Sequence, residues 1–175
     1  GIDKSKFIMS VIKNIQNLKE SLPDHVVLIA VSKNHSPELI MEAYDAGQRI
    51  FGENKVQEIN EKFAMLPKDI QWHMIGHLQT NKVKFIAPYI SMIHSVDSLK
   101  LLKEINKEAE KNNRIIDLLM QIYIATEETK FGLTPEEAEE ILNSGDYFLM
   151  KNIKIRGLMG MASFTDNAEI IRKEF

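Results

Sequence analysis

The apolar residues of the chain follow two patterns that alternate along its length. Short continuous runs, typical of strands buried on both faces, predict six strands, at residues 26–31, 49–51, 70–76, 90–96, 115–125 and 154–159. Apolar residues spaced three and four apart predict one helix at residues 2–20 and a further helix after each strand. No hairpin signal joins two strands, so the alternation predicts an α/β fold with a parallel sheet, either open and doubly wound or closed as a barrel.

Polar side chains follow the predicted strands at their carboxyl ends. Lys33 comes after the first strand, and Asn54, His77, Asp97 and Ser163 come after later ones. In parallel α/β folds, the loops at this end of the strands form the rim that binds ligands. We therefore expect a single binding site at one common rim.

Lys33 allows two interpretations. A lysine at the end of a strand usually reaches solvent. An amine held at the mouth of an apolar strand is instead partly desolvated, which favours its neutral form and makes it a candidate Schiff-base nucleophile for a carbonyl group. A serine–lysine hydrolase pair with Ser32 is not expected, because adjacent residues on a strand point to opposite faces.

Composition narrows the classes of function. The chain has 175 residues, 44% of them hydrophobic, which predicts one domain with a substantial core. The net charge is −3 and the 22 basic residues are scattered, so no nucleic-acid or anionic-membrane partner is predicted. The absence of cysteine removes thiolate and zinc–sulfur chemistry. No apolar run reaches about 18 residues, so we predict no membrane segment and expect a cytoplasmic protein.

The spacing of the histidines does not indicate a metal site. His73 and His77 are four residues apart, which places two ligands on one face only if the segment is helical. Residues 72–75 follow a strand pattern and Gly76 interrupts it. We therefore predict no metal site, and we expect His73 to be a core histidine with a local hydrogen bond.

A series of motifs resembles a known family, the pyridoxal phosphate homeostasis proteins. The motifs appear in the family's order and are spread over most of the chain, at residues 30–33 (Ala-Val-Ser-Lys), 46–49, 51–58, 72–82, 94–98, 129–132 and 156–159. The resemblance implies a (β/α)8 TIM barrel like the alanine racemase N-terminal domain, with pyridoxal 5′-phosphate (PLP) bound as an internal aldimine.

Residue by residue, the resemblance implies a set of cofactor-binding positions. Lys33 corresponds to the Schiff-base lysine of the family, Asn54 to a residue at the cofactor rim, and Ile75 and Met159 to wall residues. His77 departs from the family, in which many relatives have proline at this place, and we assign it no catalytic role. No catalytic residue is predicted.

The resemblance also implies that the barrel is incomplete at its C-terminus. Family members run some tens of residues longer, and that part carries the serine and glycine amides that grip the phosphate and an arginine that faces the pyridine nitrogen. About six βα units are counted over residues 1–175, a single PLP-binding domain, whereas a closed barrel needs eight. We therefore expect two open sheet edges and weak binding of PLP, or none, by the 175-residue form.

The function implied by the resemblance is intracellular PLP homeostasis, as a cofactor carrier or buffer without strong turnover. Its partners would be PLP and PLP-dependent apoenzymes, and the full-length protein would be a monomer. The alternative is a PLP-dependent amino-acid racemase of the same barrel class, but such enzymes add a second β-rich domain that the 175 residues do not predict. A third class, a parallel α/β protein without PLP chemistry, would apply if the motifs were discounted.

Overall fold

A computed structural model describes residues 4–124, 132–162 and 165–174, with side chains from residue 10 onward. The strands within these ranges are β1 (Ala30–Val31), β2 (Ile50–Glu53), β3 (Gln71–Met74), β4 (Met92–Val96), β5 (Ile116–Ile122) and β6 (Ile153–Gly160). The α-helices are α1 (Lys4–Ser21), α2 (Pro37–Asp45), α3 (Val56–Met65), α4 (Val83–Ile86), α5 (Leu99–Lys111), α6 (Pro135–Leu142), α7 (Gly145–Leu149) and α8 (Ala168–Glu174).

The strands form one parallel sheet in the order β1-β2-β3-β4-β5-β6. A doubly wound sheet reverses its strand order at a switch point, whereas here each strand pairs with its neighbour in the chain, as in a (β/α)8 barrel. The predicted parallel α/β fold is confirmed, and the barrel alternative has the observed strand order. Among the described residues the sheet is not closed, since β1 and β6 each pair on one side. The two open edges are as expected.

The first predicted strand is largely wrong. Only Ala30 and Val31 pair with β2, while Val26 and Val27 precede the strand and are exposed. Val31 is itself half exposed. The apolar run indicates burial on both faces, but burial also needs neighbours, and the described residues place none beyond the outer side of β1.

The other predicted strands are confirmed, with bounds that move by a few residues. The largest change is in β5, which ends at Ile122 and not at residue 125. One helix was not predicted. Helix α7 has five residues and a Ser144 cap, whose side chain accepts the N–H of Tyr147, and five residues are too few to show a helical stripe.

The two faces of the sheet differ in the size of their side chains. Alternate residues of β5 are buried against the helices, and the rings of Phe51 and Trp72 lie on that same side with centroids 6.0 Å apart. The opposite side of the sheet, here called the inner face, carries the residues that alternate along the strands with those facing the helices. It includes Gly52, His73, Ile75, His94, Leu119, Gln121 and Met159, and near the start of β5 it also carries Asp117, whose Oδ2 lies 3.8 Å from Arg156 Nε. The apolar core therefore lies between the sheet and the helices, and the inner face is left with small and polar groups as well as apolar ones.

None of the described helices combines the length and the apolar character that a membrane span requires.

Candidate functional site

Lys33 lies just past the carboxyl end of β1, at the rim of the sheet. Its side chain is exposed, as in the first of its two interpretations, and the partial desolvation of the second is not observed among the described residues, where β1 is an edge strand. Ser32 points the other way and is 3% exposed. Its hydroxyl donates to Glu53 Oε1 at 2.8 Å. The two neighbours face opposite sides, as the strand geometry predicts.

Asn54 follows β2 and packs against the turn after β3. A Cβ atom on Gly76 would lie 2.5 Å from the backbone oxygen of Asn54 and 2.8 Å from its Cα, so only glycine permits this approach. The backbone oxygen of Gly76 also accepts the Ser95 hydroxyl at 2.6 Å. These contacts tie the carboxyl ends of β2, β3 and β4 into one stretch of rim.

Ile75 lies on the inner face directly over Gly52. A Cβ atom at Gly52 would come within 2.8 Å of Ile75 Cδ1 and 3.2 Å of Ile29 Cγ2. The missing side chain thus makes room for an apolar wall between β1 and β3. Met159 pairs in register with Gln121 at the other edge of the sheet. The structure therefore brings Asn54 and Ile75 to the β1 side of the rim, and it leaves Met159 on the far strand.

A pair of buried histidines lies on the inner face below this rim. His73 Nδ1 and His94 Nε2 are 2.9 Å apart, and both residues are buried. Burial lowers the pKa of His73 to about 4, with a further contribution from His94, and burial also lowers the pKa of His94. Both rings are therefore neutral at pH 7 and one donates to the other. The predicted role of His73 as a core histidine is confirmed, but His94 was not predicted as its partner.

An ionic cluster on the helical face, here called the Lys62 cluster, was also missed by the sequence analysis. The Lys62 ammonium is buried and donates three hydrogen bonds. Its acceptors are the Ser32 backbone oxygen at 2.7 Å, Glu53 Oε1 at 2.5 Å and Glu58 Oε1 at 2.7 Å. Glu58 Oε1 also accepts the backbone N–H of Asn34 at 2.6 Å. Only the spacing of Glu58 and Lys62, four residues apart on a helix, is visible in the sequence.

The two glutamates of the Lys62 cluster differ in their electrostatics. Burial raises the pKa of the Glu53 carboxyl, although the hydrogen bonds from Lys62 and Ser32 oppose this effect. The hydrogen bond from Lys62 lowers the pKa of Glu58, which is less buried. Glu58 is therefore firmly ionised at pH 7, and its charge is held beside the Asn34 amide.

Of the other predicted rim residues, the described part of the chain shows a single long contact, between His77 and Asp97. His77 is largely exposed, with Nδ1 3.9 Å from Asp97 Oδ2. Ser163 lies outside the described residues. Residues 129–131, in the loop predicted after the fifth strand, lie outside them as well. Within the ranges that the structure describes, no three His, Asp or Glu side chains are grouped so as to hold a metal ion.

Comparison with known families assigns the fold a class. The family model described as "Alanine racemase, N-terminal domain" matches residues 9–175. The alanine racemase of E. faecalis superimposes with a TM-score of 0.74 at 18% identity, covering 95% of this chain and 46% of that chain. This likeness supports the barrel class of fold alone.

Nearer relatives share more of the sequence. The pyridoxal phosphate homeostasis protein of Helicobacter pylori strain 26695 is 39% identical over 99% of this chain and 80% of its own length. The protein of that name from Aquifex aeolicus is 41% identical over 85% of this chain, which spans 64% of that relative's length. PipY of Synechococcus elongatus, solved with PLP bound, has a TM-score of 0.82 and 36% identity, covering 93% of this chain and 75% of that chain. The chain therefore belongs to the pyridoxal phosphate homeostasis proteins within the alanine racemase N-terminal domain family.

The contact between Gly76 and Asn54 predicts a clear cost for one added methyl group. Gly76→Ala should destabilise the protein by about 1–3 kcal/mol, because the backbone of Asn54 must move to admit a Cβ. Gly145→Ala is the matched control, since a Cβ there would meet nothing within 4 Å. Urea unfolding measures both variants. Equal stability of the two would contradict the close approach at the rim.

The histidine pair predicts that acid weakens the fold. The pKa of His73 is about 4 in the folded chain and near 6.5 when unfolded, so the unfolded chain binds more protons between these values. Stability is therefore full above about pH 6.5 and falls as the pH drops to about 4, by on the order of 3 kcal/mol from His73.

Urea unfolding at about pH 7.5 and pH 4.5 tests this dependence. His73→Asn should lose less stability on acidification than the unmodified protein, because a titrating group has been removed. His25→Asn, at an exposed position, should behave like the unmodified protein. An unchanged acid dependence in His73→Asn would show that the pair does not control it.

Proposed function

We propose that this chain binds PLP, weakly in its 175-residue form, at the carboxyl-end rim of the inner face and serves in intracellular PLP homeostasis as a cofactor carrier or buffer. The observation that carries the proposal is the convergence on one rim of an amine, an amide and an apolar wall. Lys33 provides the amine, Asn54 the amide and Ile75 the wall. Met159 is proposed as a second wall residue from the far strand.

The residues present fit an aromatic aldehyde of this kind. The absence of a side chain at Gly52 and Gly76 lets Ile75 and the backbone of Asn54 approach these strands closely, which brings the apolar wall and the amide to the same rim. When bound, the cofactor supplies an aldehyde that an amine can attack. The exposed side chain of Lys33 is open to an aldehyde that arrives from solution. Asn54 offers both a donor and an acceptor for orienting a polar ring.

The relatives support the proposal in two ways. Those named pyridoxal phosphate homeostasis proteins are 39% and 41% identical to this chain. PipY, at 36% identity, has been solved with PLP bound. We further propose that the cofactor passes to PLP-dependent apoenzymes in the cytoplasm, and that the full-length protein is a monomer.

Racemisation of amino acids stands as a weaker alternative. It rests on a likeness of fold to alanine racemases at 18% identity or below. A racemase needs two positioned acid–base groups, one on each face of the substrate's reacting carbon. No observation on the described residues favours this function over cofactor carriage.

Lys33 is predicted to be the lysine that bonds to the cofactor. The purified protein is mixed with PLP, reduced with borohydride and digested for peptide mapping. The modified peptide should contain Lys33, and Lys33→Ala should reduce covalent capture to background, because the other amine at the end of β1, that of Lys62, is buried and paired on the helical side of the sheet.

Lys55→Ala is the matched control for this experiment. Lys55 is also exposed and follows Asn54 on the same rim, so it tests whether any nearby amine would serve. Capture by Lys55→Ala should equal that of the unmodified protein. A modified peptide without Lys33, or full capture by Lys33→Ala, would exclude the proposed role.

A further inference from the structure

The Lys62 cluster lies directly behind Lys33, on the opposite face of the chain. We propose that Lys62 is a positioning residue for Lys33, acting through Glu58 and the backbone of residues 32–34 to direct the Lys33 amine toward the inner-face rim. This inference rests on the proposed function of Lys33. It assigns a task to a buried lysine on the helical side of the sheet.

Both neighbours of Lys33 are held by this cluster. The Ser32 backbone oxygen accepts from Lys62 Nζ at 2.7 Å, and its hydroxyl donates to Glu53 at 2.8 Å. On the other side, the Asn34 N–H donates to Glu58 Oε1 at 2.6 Å. Lys33, which lies between them, makes no hydrogen bond to the cluster among the residues that the structure describes. The direction of the Lys33 side chain is therefore set by the backbone that the cluster fixes.

The turn after Lys33 is strained, and this strain requires support. Asn34 has a φ of 62°, in the left-handed region that asparagine tolerates better than most residues but that still costs energy. Such conformations persist where the surroundings over-determine them, and they occur often at binding sites. The short hydrogen bond from Asn34 to Glu58 supplies that support here.

Lys62 links the parts of the cluster with one group. Its ammonium has three donors and finds three acceptors, on the residue after β1, on β2 and on α3, while within the described residues Glu53 Oε2 is buried without a hydrogen-bond partner. Replacing buried ion pairs by apolar groups is often neutral or favourable for stability, so stability alone is a weak reason for this arrangement. The cluster does fix a geometry, because it joins the end of the short edge strand to a helix and to the next strand.

Pre-organisation of the amine is the expected benefit. A lysine whose backbone samples many directions must be ordered when it bonds to the aldehyde, and that cost reduces affinity. A shift of about 1 Å in a reacting group can cost on the order of 100-fold in rate. We therefore expect loss of the Lys62 cluster to slow covalent capture of PLP by about 10- to 100-fold, with Lys33 still present.

The first test is Lys62→Met, which keeps the length of the side chain and removes the charge. Three quantities are measured in buffer without urea, under conditions in which the variant is folded. They are the rate of PLP capture, the acetylation rate of Lys33 relative to Lys55 in the cofactor-free protein, and the hydrogen-exchange rate of the Asn34 amide. The rate of PLP capture should fall by about 10- to 100-fold. The ratio of the two acetylation rates should change, and the exchange rate of the Asn34 amide should rise at least about tenfold. Lys111→Met, which removes an exposed ammonium from the buried Glu108 far from Lys33 in the chain, should change none of them.

Glu58→Ala and Glu58→Gln keep the proposal testable if Lys62→Met does not fold. Glu58→Ala removes the acceptor of the Asn34 amide and leaves Lys62 paired with Glu53, so the buried charges stay balanced. It should slow capture and speed Asn34 exchange. Glu58→Gln retains an acceptor oxygen and should restore both toward the unmodified values. A purely structural role would change stability but would not produce this rescue.

The outcomes separate this inference from the proposed function. If the unmodified protein captures no PLP, the proposed function fails, and the acetylation ratio and Asn34 exchange still decide whether Lys62 positions Lys33. If folded Lys62→Met and Glu58→Ala both capture PLP within about twofold of the unmodified protein, the positioning role is rejected.

Discussion

Parallel pairing of each strand with the next one in the chain is the constraint on which the rest of this structure depends. It places every carboxyl end at one edge of the sheet, so residues far apart in sequence, such as Lys33 and Asn54, reach the same rim. It also sends every connecting helix to one side. The large apolar side chains follow the helices, and the inner face keeps glycine, histidine and a few apolar residues.

That division gives the inner face a graded polarity. Near the rim, Ile29 and Ile75 meet over the glycine of β2 and form an apolar wall. Deeper down lies the histidine pair, which burial keeps uncharged at pH 7. The buried charged groups close to the rim, those of the Lys62 cluster, lie behind β1 and β2 on the helical side. A planar ring against the Ile29 and Ile75 wall would therefore meet apolar and neutral groups, with the buried ionic cluster one layer away.

The sequence was sufficient for features that depend on local pattern. Alternating runs and stripes predicted the strands and their parallel arrangement, and the polar exits predicted the rim with Lys33 and Asn54. Features that depend on register were not accessible. The bond between His73 and His94 requires knowing that two strands place them side by side. The contacts of Lys62 with Ser32 cross 30 residues of sequence. The exposure of Val31 could not be predicted either, because an apolar run does not reveal what lies beside it.

The two edges of the sheet are unequal in length. β1 pairs with β2 at two positions, whereas β5 and β6 pair at seven. Backbone pairing is a major part of what resists local opening, so the free energy of opening should be lower at the β1 edge than at the β6 edge. The lysine at the rim thus belongs to the region that separates most easily from the rest of the fold. Side-chain hydrogen bonds from α3 compensate for the backbone bonds that a two-residue strand cannot make, so the direction of the exposed Lys33 amine depends on how often this corner of the sheet opens.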